Sequence, residues 1–108
     1  MDKNYAIKAV QRFGEALSDL GVTAQKLILF GSFAQGTQQE GSDIDVVVIS
    51  DAFAGMAHWD RIDLLSKAIC KIWEPIEATA YTPEEWAAGN TTIFEYAKNG
   101  AVISTEIA

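Results

Sequence analysis

Residues 30–50 read FGSFAQGTQQEGSDIDVVVIS. An apolar run, Leu27-Ile28-Leu29-Phe30, ends at the pair Gly31-Ser32. Ten residues later two acids, Asp43 and Asp45, open a second apolar run, Val46-Val47-Val48-Ile49. The β-branched residues of 43–49 predict a strand, and 26–30 predicts another. The Gly, Gln, Ser and Thr of 31–42 predict a loop, with one helical turn after Ser32.

Side chains alternate across a strand, so Asp43, Asp45 and Val47 fall on one face and Ile44, Val46 and Val48 on the other. Carboxylates two residues apart lie roughly 6.6 Å apart along a strand. At that spacing they can reach one metal, or bridge two metals roughly 4 Å apart, as in phosphoryl-transfer sites. Hard oxygen donors suit Mg²⁺ or Mn²⁺ rather than zinc. A lone D-x-D is common and fits a solvated strand start equally well. The Gly-Ser turn adds a second element. Backbone N–H groups after a strand can cradle a phosphate, Ser32 adds a hydroxyl, and Gly31 admits close approach. Neither a Walker loop nor a G-x-G-x-x-G is present.

Outward from this centre, Ala6, Val10, Phe13, Leu17 and Leu20 line one face of a helix over 3–20, capped by Gly21. Gly14 weakens that helix. A second helix over 58–73 carries Ile62, Leu65, Ile69 and Ile72 on one face and an Asp63–Lys67 pair outside, and Pro75 closes it. Residues 76–81 predict a third strand. Thr82-Pro83-Glu84-Glu85 is a capping-box helix start. A last helix spans about 91–98, and 101–104 is a candidate edge strand. The order predicts an α+β, two-layer domain with a small mixed sheet of three to four strands, helices packed against it.

The 108 residues are one domain's worth, 49% hydrophobic and 21% charged. The net charge is −7, and no Lys or Arg occurs between Gly31 and Asp60. This excludes an extended nucleic-acid footprint and an anionic membrane surface as partners. The lone cysteine, Cys70, forms no internal disulfide and is expected as a buried thiol. No signal peptide or stretch of ~20 apolar residues is visible, so a cytoplasmic location is expected.

Together the pieces form G-S-x10-D-x-D at two strand ends. This pattern resembles the nucleotidyltransferases related to DNA polymerase β. It most resembles the minimal nucleotidyltransferases, short antitoxins encoded beside HEPN-domain toxins. The match runs over FGSFAQGTQQEGSDIDVVV and, more weakly, through PIEATAYTPEEW and IFEYAKNGAVI. The resemblance implies a nucleotidyltransferase fold with Gly31, Ser32 and Gln35 at the nucleotide. It also implies two Mg²⁺ on Asp43, Asp45 and Glu77, with Glu77 as metal ligand or base. The reaction implied is transfer of AMP from ATP to a hydroxyl, a tyrosine of a HEPN toxin, within a type VII-like toxin–antitoxin pair.

Two positions depart from the family pattern. Gln35 stands where Arg is usual, and Glu77 where Asp is usual. These departures keep two alternatives open: a binding module that masks the toxin sterically, and nucleotidyl transfer to a small molecule. The shortness of the chain argues against the latter. Among the remaining residues, His58 is expected as a surface or helix-start residue. Trp59, Trp73 and Trp86 are expected in the core, with one or two available to a partner interface. Nothing in the sequence selects Tyr5, Tyr81 or Tyr96 for self-modification.

Overall fold

A computed structural model describes residues 2–103. In chain order it has α1 (Lys3–Asp19), β1 (Lys26–Phe30), α2 (Ser32–Gln35), β2 (Ile44–Ile49), α3 (His58–Ile72), β3 (Ile76–Tyr81), α4 (Pro83–Ala88), α5 (Thr92–Ala97) and β4 (Ala101–Ile103). A short 3₁₀ turn, Asp51–Phe53, follows β2. The four strands form one mixed sheet in the order β3-β2-β1-β4, with β2 and β3 parallel and the other pairs antiparallel. The parallel pair is joined through α3, the helical crossover that such a pair requires. The expected α+β architecture is the one observed.

Strand alternation divides the core in two. Leu27, Leu29, Ile44, Val46 and Val48 pack with Val10, Phe13 and Leu17 of α1 and with Leu65, Ala68 and Ile72 of α3. Each large side chain fully buried here contributes about 1.5–3 kcal/mol. The other face is thinner. Ile28, Val47 and Ile49 bury against Ala97 of α5, with Trp86, Tyr81 and Ile93 at the margin. The helices on this face are short, so they cover only part of it.

α1 ends in a Schellman motif: Val22 N–H donates to Leu17 C=O at 2.9 Å and Gly21 N–H to Ser18 C=O at 3.0 Å. Gly21 provides the left-handed residue (φ +91°) that this closure requires. Gly14, expected to weaken α1, is buried in it, facing the core. α1 and α3 are tied by Lys71–Asp19 at 3.5 Å. Below them, Glu74 accepts from Arg12 at 3.2 Å and from the Tyr5 hydroxyl.

Several expectations need correction. β2 begins at Ile44, leaving Asp43 just outside the strand. α3 closes at Trp73, which adopts the left-handed conformation (φ 55°), two residues before Pro75. Ile62 is 38% exposed, because the buried face of α3 is Leu65, Ala68 and Ile72. Trp59 and Trp73 are 76% and 91% exposed, and only Trp86 packs with a core cluster. Cys70 is exposed, since its helix position points away from α1 and the sheet. The candidate edge strand is real over Ala101–Ile103, whereas Ser104 lies outside the described residues. No helix among the described residues is long and apolar enough to cross a membrane.

Candidate active site

β1 runs straight into the Gly31-Ser32 turn because Gly31 adopts φ +75°, a backbone conformation costly for any residue with a side chain. The expected helical turn follows as α2, closed by Gly36 in the left-handed conformation. Gln35 N–H donates back to Gly31 C=O at 3.1 Å, and Thr37 N–H to Ser32 C=O at 3.0 Å. Phe33 anchors the turn in the main core. Ser32 is half-buried and Gln35 is exposed.

The sheet register brings the acids beside this turn. Asp45 is paired with Phe30 of β1 on one side and with Glu77 of β3 on the other. Paired residues share a face, so Asp45 and Glu77 stand side by side on the thinly covered face. Asp43, one residue before β2, is exposed, as is Glu77; Asp45 is half-buried. Asp45 also leans on the turn: a Cβ built at Gly31 would run into its Oδ2 and sit 3.1 Å from its Cγ. The Asp45 carboxylate and the Gly31 turn thus pack against each other at a residue that has no side chain.

The electrostatics follow from this crowding. Burial, then the Glu77 charge, then the Asp43 charge hold the Asp45 carboxyl above the usual aspartate range. Asp45 thus stands in the field of two further acids at the open end of β2, and among the described residues none of the three forms an ion pair. Among the described residues, no group of three His, Cys, Asp or Glu side chains is gathered as closely as a bound metal ion demands. The donor chemistry nevertheless suits a hard divalent cation: carboxylates only, mutually repelling, one of them half-buried. Asp43, Asp45 and Glu77 are the residues that would hold it.

A cavity of about 350 Å³ adjoins the turn at the end of β1. Gly31 and Gln35 line it, as their motif positions suggest, together with Lys3, Tyr96 and Asn99, which sequence reasoning did not select. Lys3 precedes the motif by nearly thirty residues and Tyr96 follows it by more than fifty; only the fold joins them. His58 is an exposed first residue of α3, edge-on to Trp59 at 5.6 Å.

The nucleotidyltransferase domain family model matches residues 10–88. The chain belongs to this family, whose members are enzymes that transfer nucleotidyl groups. It is similar to the protein adenylyltransferase MntA of Shewanella oneidensis, 41% identical over 46 residues. That match spans 42% of this chain but only 33% of MntA. A Methanocaldococcus jannaschii protein that carries the name protein adenylyltransferase is 36% identical over 78 residues, 71% of this chain and 74% of that protein. In fold the chain resembles the crystal structure of a Sulfolobus solfataricus protein assigned as a nucleotidyltransferase. The TM-score is 0.68 over 93% of this chain and 80% of that one, at 18% identity.

Proposed function

We propose that the chain transfers AMP from ATP to a hydroxyl of a partner protein, in the presence of Mg²⁺. The observation that carries this reading is the register that sets Asp45 beside Glu77, with the Gly31 turn against Asp45. Phosphoryl-type transfer requires little of a protein beyond positioning and charge neutralisation. Ser32 and the Gly31 backbone hold the β- and γ-phosphates. Asp43 and Asp45 would hold the metal, with Glu77 either a further ligand or the base, and the metal when bound would neutralise charge on the triphosphate and the leaving group. The acceptor oxygen forms a bond to the α-phosphorus, the bond from that phosphorus to the bridging oxygen breaks, and pyrophosphate leaves with the electron pair. In the role of base, Glu77, exposed on the edge strand β3, accepts the acceptor's proton.

A protein acceptor fits the surface. The net charge of −7 and the lysine- and arginine-free stretch 31–60 argue against nucleic acid. Trp59 and Trp73 are open to solvent, where a partner can seat on them. The partner proposed is a HEPN-domain toxin, with a tyrosine as the modified residue and the chain as its antitoxin. The relatives named as protein adenylyltransferases support a protein acceptor.

The test is to incubate the chain with Mg²⁺, ATP and the protein encoded beside it, and to weigh that protein intact. An AMP adduct that disappears in the Asp43→Ala/Asp45→Ala double variant is expected. Neutralisation of the partner that survives in the double variant, with no adduct from the parent, would favour the steric-masking alternative.

A further inference from the structure

The cavity at the end of β1 brings a cation to the Gly31 turn. Among the described residues, Lys3 is the only charged one in its lining, which it shares with Gly31, Gln35, Tyr96 and Asn99. Three features bear on Lys3. It occupies the first position of α1, where the helix dipole disfavours a positive charge. Like Lys8 and Lys26, and unlike Lys67, Lys71 and Lys98, its side chain makes no ion pair or hydrogen bond with any described residue. The motif loop, which lacks Lys and Arg from Gly31 onward, supplies no cation of its own. Lys3 thus has no side-chain partner among the described residues and lies in the lining of the cavity that Gln35 shares. Tyr96 is similar: its neighbour Ala97 is fully buried while Tyr96 stays 70% exposed on the cavity wall.

We propose that this cavity receives the terminal phosphates of the nucleoside triphosphate and that Lys3 is their cationic partner. The inference rests on the nucleotidyl-transfer reading above and adds to it a phosphate-binding residue outside the motif. A triphosphate entering beside Asp43, Asp45 and Glu77 meets three negative charges. Lys3 lines the cavity that Gly31 borders, and Asp45 lies against Gly31, so a triphosphate whose α-phosphate faces Asp45 has that cavity beside it for its tail. An ammonium forms charge-assisted hydrogen bonds with phosphate oxygens, the role for which lysine is well suited. The Asn99 amide and the Tyr96 hydroxyl supply neutral donors around it. Lys3 and the side chain at position 35 reach one cavity, so a cation from α1 substitutes for one from α2.

The experiment measures, by calorimetry in Mg²⁺, the binding of α,β-methylene ATP and of AMP to the parent, Lys3→Gln, Lys3→Glu and Lys3→Gln/Gln35→Arg. Melting curves check that each variant is folded, which the exposure of Lys3 favours. The expected result is about tenfold weaker binding of the triphosphate to Lys3→Gln, a larger loss for Lys3→Glu, and unchanged binding of AMP. The double variant should recover most of the loss. Equal triphosphate affinity in the parent and Lys3→Gln, while Ser32→Ala weakens it, would overturn the role of Lys3 and leave nucleotidyl transfer standing. An equal loss for AMP and the triphosphate would also overturn it. A parent that binds neither nucleotide would instead remove the nucleotidyl-transfer reading, and this inference with it.

Discussion

Gly31 and Asp45 occupy each other's space. A Cβ at Gly31 would stand 3.3 Å from Asp45 Cβ and 3.1 Å from its Cγ, and would collide with Oδ2. Gly31 also holds φ +75°, so an added side chain is strained before it meets the carboxylate. Gly31→Ala should therefore destabilise the fold by about 1–3 kcal/mol in urea unfolding. It should also displace Asp45 and abolish AMP transfer even at temperatures where the variant is fully folded. A folded Gly31→Ala variant with parental transfer would show that the contact does not matter to the site.

Asp45 is a stability liability. Burial and the neighbouring Glu77 and Asp43 charges raise its pKa above the ordinary 3.8. The folded chain thus holds this proton to higher pH than the unfolded chain does. Its contribution is most favourable at acid pH and declines as pH rises from 3.8 through the raised value. At neutral pH, Asp45→Asn should raise the melting temperature while eliminating transfer, and the gain should shrink as pH falls toward 3.8. Mg²⁺ should raise the melting temperature of the parent more than that of Asp45→Asn, because binding to the folded state stabilises it. A lower melting temperature for Asp45→Asn at pH 7 would refute the crowding argument.

The start of α4 is a separate, structural device. The Thr82 hydroxyl accepts from Glu85 N–H at 3.1 Å, and Glu85 Oε1 accepts from Thr82 N–H at 2.8 Å. Glu85 also takes Arg61 Nη1 at 2.7 Å. Arg61 above all, then Thr82, holds the Glu85 carboxyl below its ordinary 4.5. The stability this gives is complete above pH 4.5 and is lost as pH falls from there through the lowered value. Thr82→Ala should cost about 1 kcal/mol. Arg61→Ala should flatten the acid limb of the stability curve, as thermal unfolding between pH 3 and 6 would register.

How much of this was legible in the sequence depends on the range of the interaction. Local rules predict the elements well: the β-branched run at Val46–Ile49, the capping box at Thr82 and the Gly21 closure are decided by residues a few positions apart. The motif pair Gly31-Ser32 and Asp43/Asp45 is legible because strand alternation and spacing are local too. What failed was side-chain exposure on α3. Its periodicity places Ile62, Leu65, Ile69 and Ile72 near one another, but only tertiary packing decides which flank meets the sheet, so Ile62 and Cys70 turned outward. Lys3 and Tyr96 were invisible for the same reason, since α1 and α5 meet the Gly31 turn only in three dimensions.

The outward turn of Cys70 is itself testable. Its thiol should react with a disulfide reagent in the native chain as readily as in urea, with no change in melting temperature after labelling. Protection of the thiol in the native chain would restore the buried placement that the helical pattern suggests.

The central claim is that the α-phosphate, with its nucleoside, is the group transferred. ATP labelled at the α-phosphate and ATP labelled at the γ-phosphate, each supplied with Mg²⁺ and the partner protein, distinguish this directly. The account predicts that the α label becomes covalently attached to the partner, that the γ label appears only in pyrophosphate, and that Asp45→Asn does neither. Attachment of the γ label, or of no label at all with a folded partner present, would contradict it.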